Sequence, residues 1–398
     1  MRIAFFSDNF YPEISGIADS IMTTGRELGR RGHKVRFFAP TYPQGAYEML
    51  GLPEGNPDLG PNVSFTRFAS FPYPGGTGTG QGRMVIPTGL RFPALRSFHP
   101  DLIHVHLPFG ACLEGVISAK ILGVPIVATD HTPISEFLRY SPIKNDWFRN
   151  AVFSYNRWFY NQAKFLSSPS AAVFAELGEE KIIPPHHPVS NPLKTEHFYP
   201  RDNKKELKEK FGLGEFTILY VGRLAPEKKI DETITALAAL GEKAPGTELA
   251  IVGRGGAEGA LRKMSASLGV ADKVKFLGFL NDEELPLAYA ASDVFAIMST
   301  AETQSIAAMQ AMMTEVPVVA ARAWGLKEYV NEKNGILVEP GDVAGLTSAL
   351  LELYSDRERR LTLGQGGREF ASGFSITKIA DAWEKIYQEV IAGYNQSK

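Results

Sequence analysis

The sequence predicts an α/β protein built from two doubly wound, Rossmann-like domains. Three observations carry this. Short apolar runs recur without polar alternation, an amphipathic segment follows each run, and the rhythm breaks once near mid-chain. Strands that are apolar on both faces belong to parallel sheets covered by helices on both sides. The length of 398 residues suits two domains at roughly 100–200 residues each.

Taken in order, IAFFS (3–7) is the first strand, 17–31 a helix and VRFFAP (35–40) the second strand. Residues 70–90 carry the Gly- and Pro-dense stretch FPYPGGTGTGQG and read as a loop, with a flap over an acceptor as its functional reading. The alternation resumes with DLIHVH (101–106), a helix over 111–121, VPIVATD (124–130), an aromatic-rich helix over 147–161 and KFLSSPS (164–170). Proline and lost periodicity over 183–205 mark a linker. The pattern then restarts with strands FTILYVG (216–222), ELAIVG (248–253), VKFLGF (274–279), DVFAIMS (293–299) and VPVVAA (316–321), separated by helices near 229–241, 256–268, 282–290 and 304–313. Residues 376–395 form a last amphipathic helix. The expected domains are 1–190, with 376–398 packing back on it, and 200–375.

Composition narrows the function classes. A net charge of -2 lacks the basic excess of a general nucleic-acid binder. The single cysteine, Cys112, permits neither an intramolecular disulfide nor a cysteine zinc cluster. No run approaches the ~18 apolar residues of a membrane span, and the opening run, stopped by Asp8 and Asn9, is too short for a signal-peptide core. The expectation is a cytoplasmic protein that is soluble or sits on a membrane surface.

Open parallel sheets bind ligands outside the carboxyl ends of their strands, so the residues there matter most. Gly222 to Lys229 (GRLAPEKK) follows strand FTILYV. Arg223 and Lys228 there could clamp a diphosphate, the one as a fork, the other as a point charge. A solvated basic loop is the bland alternative. Glu302 lies between a strand and a helix, with Thr303, Gln304 and Ser305 expected in the first helical turn, where backbone N–H groups favour an anion. A plain helix cap is the alternative reading. Gln310, two turns on, is expected to share a face with Glu302. Ser15-Gly16 opens the first helix, where a glycine admits close backbone approach to a phosphate. His104 and His106 end one strand and His131, after Asp130, ends another. Strand-terminal imidazoles can orient a hydroxyl or stabilise charge. No carboxylate spacing supports a metal among them, and neither half carries the G-x-G-x-x-G dinucleotide fingerprint.

Together these motifs resemble the retaining glycosyltransferases of family 4, which have the GT-B fold. The resemblance rests on YVGRLAPEKKID, IVGRGG, VKFLGFLNDEEL and AETQSIAAMQAMMTEVPVV, and covers nearly the whole chain. It implies two domains facing a deep cleft, a nucleotide-sugar donor in the second, and the last helix crossing back to the first. It implies that Gly16, Gly222, Arg223, Lys228, Gly278, Phe279, Glu302, Thr303, Gln304, Ser305 and Gln310 meet the donor. Among these, Arg223 and Lys228 would hold the diphosphate and Glu302 the sugar hydroxyls. His131 matches the histidine of an HT motif near the reacting centre. Ser15, His106 and Asp130 fall on the acceptor side. The family's E-x7-E reads Glu302 and Gln310 here, so the second carboxylate is an amide.

The stretches SDNFYPEISGIADSI, HVHLPFG and TDHTPISEFLRYSP also resemble bacterial diacylglycerol glucosyltransferases. That implies a UDP-hexose donor such as UDP-glucose, a lipid hydroxyl acceptor and no metal or cofactor beyond the co-substrate. Arg26, Arg30, Arg31, Lys34 and Arg36, with Trp147, Phe148, Phe153, Trp158 and Phe159, suit an anionic membrane surface; a solvated helix face beside a buried helix is the alternative reading. The competing readings are a sugar-nucleotide epimerase and a non-catalytic sugar-nucleotide-binding protein.

Overall fold

The computed structural model describes residues 1–13, 15–72, 82–139, 141 and 143–397. The chain forms two compact units, Met1–Pro192 with Ile376–Lys398, and Leu193–Ser375. The centre of the Gly/Pro-rich flap, 73–81, lies outside the described residues.

The first unit runs β1 (Arg2–Phe6), α1 (Gly16–Arg30), β2 (Lys34–Pro40), α2 (Gln44–Leu50), β3 (Val63–Phe68), β4 (Ser70–Pro72), β5 (Arg83–Val85), α3 (Phe92–Phe98), β6 (Leu102–Val105), α4 (Gly110–Leu122), β7 (Ile126–Thr129), α5 (Ile134–Arg139), α6 (Asp146–Tyr160), β8 (Phe165–Ser167) and α7 (Ala172–Leu177). Its main sheet is parallel, in the order β3-β2-β1-β6-β7-β8. Strand β1 shows why its sequence does not alternate. Phe5 stacks on Phe37 at 5.3 Å between ring centroids, and Phe6 stacks on Phe38 at 4.5 Å, on the opposite face. Each face carries a helix: a Cβ at Gly25 of α1 would meet the Phe37 ring, and one at Gly115 of α4 would meet the Phe6 ring.

The second unit runs α8 (Lys204–Phe211), β9 (Phe216–Val221), α9 (Ile230–Leu240), β10 (Thr247–Val252), α10 (Glu258–Ser267), β11 (Val274–Gly278), α11 (Leu285–Ala290), β12 (Val294–Ile297), α12 (Ile306–Met313), β13 (Val318–Ala321), α13 (Leu326–Tyr329), β14 (Gly335–Val338), α14 (Val343–Ser355) and α15 (Arg357–Ala371). Its sheet is again parallel, in the order β11-β10-β9-β12-β13-β14. Both sheets thus have the doubly wound order in which the first and fourth strands flank the switch point.

The last helix, α16 (Ile376–Gln396), returns to the first unit. Ile379, Ala380, Trp383, Ile386 and Tyr387 make its buried face. Arg31, just past α1, reaches Asp381 Oδ1 at 2.6 Å, Glu384 Oε2 at 2.7 Å and the Thr377 carbonyl at 2.9 Å. His33 lies 2.6 Å from Glu384. Glu27 takes both Arg30 and Arg31, and Arg36 lies over the Phe98 ring. Of the basic cluster expected to face a membrane, Arg31 is thus spent on fastening α16, while Arg30 pairs with Glu27 and stays mostly exposed. The partners of Arg31 on α16 stand some 350 residues along the chain, beyond the reach of local pattern.

Candidate active site

In the second unit, the switch point lies between β9 and β12, and both adjoining loops carry charged residues. After β9 the chain passes Gly222, whose N–H donates to the Val252 carbonyl at 3.0 Å. Gly253 and Gly255 let the next loop lie against it: a Cβ at either would meet the carbonyl oxygen of Gly222 or Leu224 at 2.0 or 2.1 Å. A 3-10 turn over Pro226–Lys228 then presents Lys228. Its Nζ lies 2.5 Å from Glu302 Oε1, from the loop after β12, and both side chains are mostly buried. Arg223 is half exposed and donates from Nη2 to Glu227 Oε1 at 2.6 Å; Glu227 itself is buried. Each cation thus has a carboxylate partner, so the loop is not simply a solvated basic segment.

Thr303, Gln304 and Ser305 precede the helix instead of forming its first turn. Ser305 has extended backbone, and its hydroxyl accepts from the Ala308 N–H at 3.2 Å, which makes it the N-cap of α12. The first-turn donors are therefore Ile306 and Ala307, which have no intrahelical acceptor. Glu302 stands three residues ahead of the cap, off the helix that carries Gln310, so the two share no helical face. The loop is held from behind by Gly325. Its N–H donates to the Glu302 carbonyl at 2.8 Å, and a Cβ there would sit 1.8 Å from the Thr303 carbonyl oxygen.

Gln310 Oε1 lies 3.1 Å from the hydroxyl of buried Tyr289, which is also 3.0 Å from the Ala307 carbonyl. One hydroxyl proton cannot serve both oxygens. If it goes to Ala307, the amide turned over donates its NH2 to Tyr289 and presents its oxygen outward. Gly278 has φ +70 and ends edge strand β11, and Phe279 after it is 48% exposed, a free aromatic face.

In the first unit the switch point lies between β1 and β6. Ser15 caps α1 through the Ala18 N–H at 3.2 Å, and Gly16 is the first helical residue. Asp8, past β1, accepts from the amides of Ala111 and Cys112 at 2.8 and 3.3 Å and so caps α4 from across the sheet. Burial pushes its carboxyl up to about 6. Asp130 is buried after β7, accepts from the Thr132 N–H, and is raised to about 7 by burial, with Glu176 adding to it. Glu176 in turn caps α5 through the Ile134 and Ser135 amides. His106 Nδ1 lies 3.1 Å from His131 Nε2. Burial holds His131 down to about 3 and His104 and His106 well below the usual imidazole range. His104 is bonded at both nitrogens, to Tyr387 and Thr129.

Sequence reasoning missed Asp8, Glu227, Tyr289 and Gly325. Asp8 carried a signal, an acid ending an apolar strand, but its target lies 103 residues away. Among the described residues no group of three or more His, Cys, Asp or Glu is arranged to hold a metal. None of their helices is long and apolar enough to cross a membrane.

Comparison with known proteins agrees with this geometry. Residues 14–197 match the family Glycosyltransferase Family 4, and residues 202–370 match Glycosyl transferases group 1. The chain is 32% identical to the sulfoquinovosyl transferase SQD2 of Arabidopsis thaliana over 68% of its own length and 53% of that protein's. It is 28% identical to a GDP-mannose-dependent alpha-mannosyltransferase of Mycobacterium tuberculosis over 99% and 96%. It is 27% identical to the alpha-monoglucosyldiacylglycerol synthase of Streptococcus pneumoniae over 84% and 74%. The solved structure of Anabaena Alr3699/HepE with UDP superposes with a TM-score of 0.78 at 22% identity, covering 98% of this chain and 100% of that one. Two sheets of one order, a charged switch point in the second, and paired family matches spanning both units lead to one conclusion: the chain belongs to the Family 4 glycosyltransferases of GT-B fold.

Proposed function

We propose that the protein transfers a hexose from a UDP-sugar, such as UDP-glucose, to a lipid hydroxyl with retention of configuration. The observation that carries this is the Lys228–Glu302 pair at 2.5 Å, set on the two loops of the second switch point at the foot of α12. A diphosphate at this end of α12 meets a lysine and helix-terminal amides, and the carboxylate remains to hold sugar hydroxyls. Arg223 adds a second cation. As the bond from the anomeric carbon to phosphate oxygen breaks, these groups stabilise the leaving diphosphate, the largest electrostatic task. The acceptor oxygen bonds to the anomeric carbon on the face the diphosphate leaves, and its proton passes to that diphosphate. No side-chain base and no metal is invoked, because Arg223 and Lys228 supply the positive charge. Gln310 accepts from the ribose, and Phe279 with the Gly278 backbone meets the base. Gly16, Ser15, His131 and Asp130 serve the first unit's side of the reaction.

The test is a panel of UDP- and GDP-sugars with released-nucleotide detection and NMR of the product. A new α-glycoside from a UDP-hexose is expected. An isomerised nucleotide sugar would make the protein an epimerase, and no turnover would make it a binding protein. Arg223→Ala with Lys228→Ala should lower kcat by at least about 10²- to 10³-fold; transfer near the native rate at saturating donor would overturn the diphosphate assignment.

The lipid acceptor draws support from the name of the Streptococcus relative and from α6. Trp147 and Trp158 of that helix are 76% and 48% exposed. Lys144 and Arg149 are exposed beside them. Lys120 of α4 reaches Gln162 just past α6, and Ile117 and Ile121 beside it are exposed. This apolar face with a basic fringe suits an anionic bilayer at the cytoplasmic side. Trp147→Ser with Trp158→Ser should abolish co-sedimentation with anionic vesicles while shifting stability by less than about 0.5 kcal/mol. Undiminished sedimentation would remove α6 from the membrane reading.

A further inference from the structure

A stack of imidazoles lies beside His131, and the reaction as proposed does not use it. His104 and His106 project from the same face of the β6 end, their rings 4.0 Å apart between centroids. His104 cannot turn. Its Nδ1 is 2.8 Å from the Tyr387 hydroxyl of α16, and its Nε2 is 2.8 Å from Thr129 Oγ1 on β7. Trp383 packs 4.7 Å from His104, and Phe5 lies nearly parallel to His106 at 5.2 Å. His106 is therefore clamped, with Nδ1 aimed at His131 Nε2, 3.1 Å away, and Nε2 buried with no hydrogen-bond partner among the described residues.

This geometry decides where the protons sit. Both rings are buried and neutral, and a neutral imidazole carries one proton. Of the two facing nitrogens, one donates and one accepts. If His131 Nε2 donated, the His106 proton would sit on its own Nε2, an N–H in the core without an acceptor. Buried orphan N–H groups are rarer than bare acceptors, so the tautomer that strands a donor is the less favourable of the two. With the proton on His106 Nδ1, the hydrogen bond forms and only a lone pair is left bare.

We propose that His106 is a positioning residue that fixes His131 as its Nδ1–H tautomer, with His131 Nε2 committed to accepting from His106. His131 then acts as a hydrogen-bond donor to an oxygen and not as a proton acceptor. Behind it, Tyr387 and Thr129 fix His104, which packs against His106. The return of α16 to the first unit thus bears on the orientation of His131. Only the catalytic consequence rests on the glycosyltransfer reading; the tautomer stands independently of it.

The experiment has two arms. The first is long-range ¹H–¹⁵N NMR of the deuterated, ¹⁵N-labelled full chain, with His131 assigned by its loss in His131→Gln. The expected pattern is a protonated Nδ1 and a bare Nε2, unchanged between pH 6 and 8. A protonated Nε2, or an averaged pair, overturns the proposal. The second arm compares His106→Asn, whose amide N–H falls where Nδ1 was, with His106→Leu. The leucine variant should lose about tenfold or more in kcat, with the donor KM nearly unchanged and the His131 pattern averaged. The asparagine variant should recover most of both. Equal impairment of Asn and Leu, with His131 unaltered, would make His106 merely structural. If the native chain shows the expected tautomer but no transfer, the functional reading fails and the positioning role stands.

Discussion

The two sheets have one strand order and opposite chemistry at their switch points. In the first unit, helix α4 follows the fourth-position strand, and its amides are taken by the protein's own carboxylate, Asp8. In the second, α12 occupies the same topological position and is capped by a neutral hydroxyl, Ser305. The partial positive charge of a helix N-terminus is thus answered by a carboxylate in α4 and only by a neutral hydroxyl in α12, where the proposed diphosphate would meet it. The surroundings follow suit. Around the first switch point the imidazoles are buried and held neutral, whereas the second keeps Lys228 and Glu302 as a close pair. The fold decides where a ligand edge lies; capping and burial decide which charge it accepts. On the proposed reading, the second edge takes the diphosphate and the first the acceptor hydroxyl.

The largest expected effect tests that division with two glycines. Gly325 backs the Glu302 loop, where a Cβ would meet the Thr303 carbonyl oxygen at 1.8 Å; Gly110 opens α4, where a Cβ would meet the Val85 carbonyl oxygen at 1.7 Å. Neither backbone neighbour can swing aside. Gly325→Ala and Gly110→Ala should each cost about 1–3 kcal/mol in stability. Only Gly325→Ala should also weaken UDP binding, by about tenfold or more, or some 1.4 kcal/mol. Calorimetric titration with UDP reads the contrast. Equal losses of affinity in both variants would break the assignment of the nucleotide to the second unit.

What the sequence made legible follows the same contrast. Runs such as Ile3–Phe6 and Phe216–Val221 are buried on both faces, so their composition announces a parallel sheet. Edge strand β3 was missed because Val63–Phe68 is partly exposed and mixes Ser, Thr and Arg with apolar residues. Helices α14 and α15 lie in a stretch given no assignment, though Asp342 and Asp356 cap them. At the site, Arg223, Lys228 and Glu302 stood out because each follows an apolar strand. Their pairing did not, since Lys228 and Glu302 are 74 residues apart. The three-residue displacement of the helix start is a local matter. Ser305 before an Ala-rich run was a readable N-cap, and reading it would have put Glu302 off the helix. The pairing of Arg31 was not legible, because Asp381 and Glu384 meet it only after the chain has closed on itself.

A smaller effect sharpens the comparison through pH. Burial raises Asp130 to about 7 from an ordinary value near 3.8. Between those values the folded chain holds more protons than the unfolded one, so this group's contribution falls as pH rises through the window. The three histidines run the other way. Their folded forms resist protonation, so the unfolded chain binds more protons below about pH 6.5 and stability is lost toward acid. The two sets oppose each other between pH 4 and 6.5. Asp130→Asn removes one contribution to the carboxyl side, where Asp8 and Glu13, also raised by burial, remain. Relative to the native chain, the variant should lose more than about 1 kcal/mol as pH falls from 7 to 4, and match or exceed it at pH 8. Urea midpoints across that range measure the difference. A pH-independent gap would mean that Asp130 is charged throughout. Asp130, just past the strand beside the first switch point, would then carry charge, and the contrast between the units would rest on the α4 and α12 caps alone.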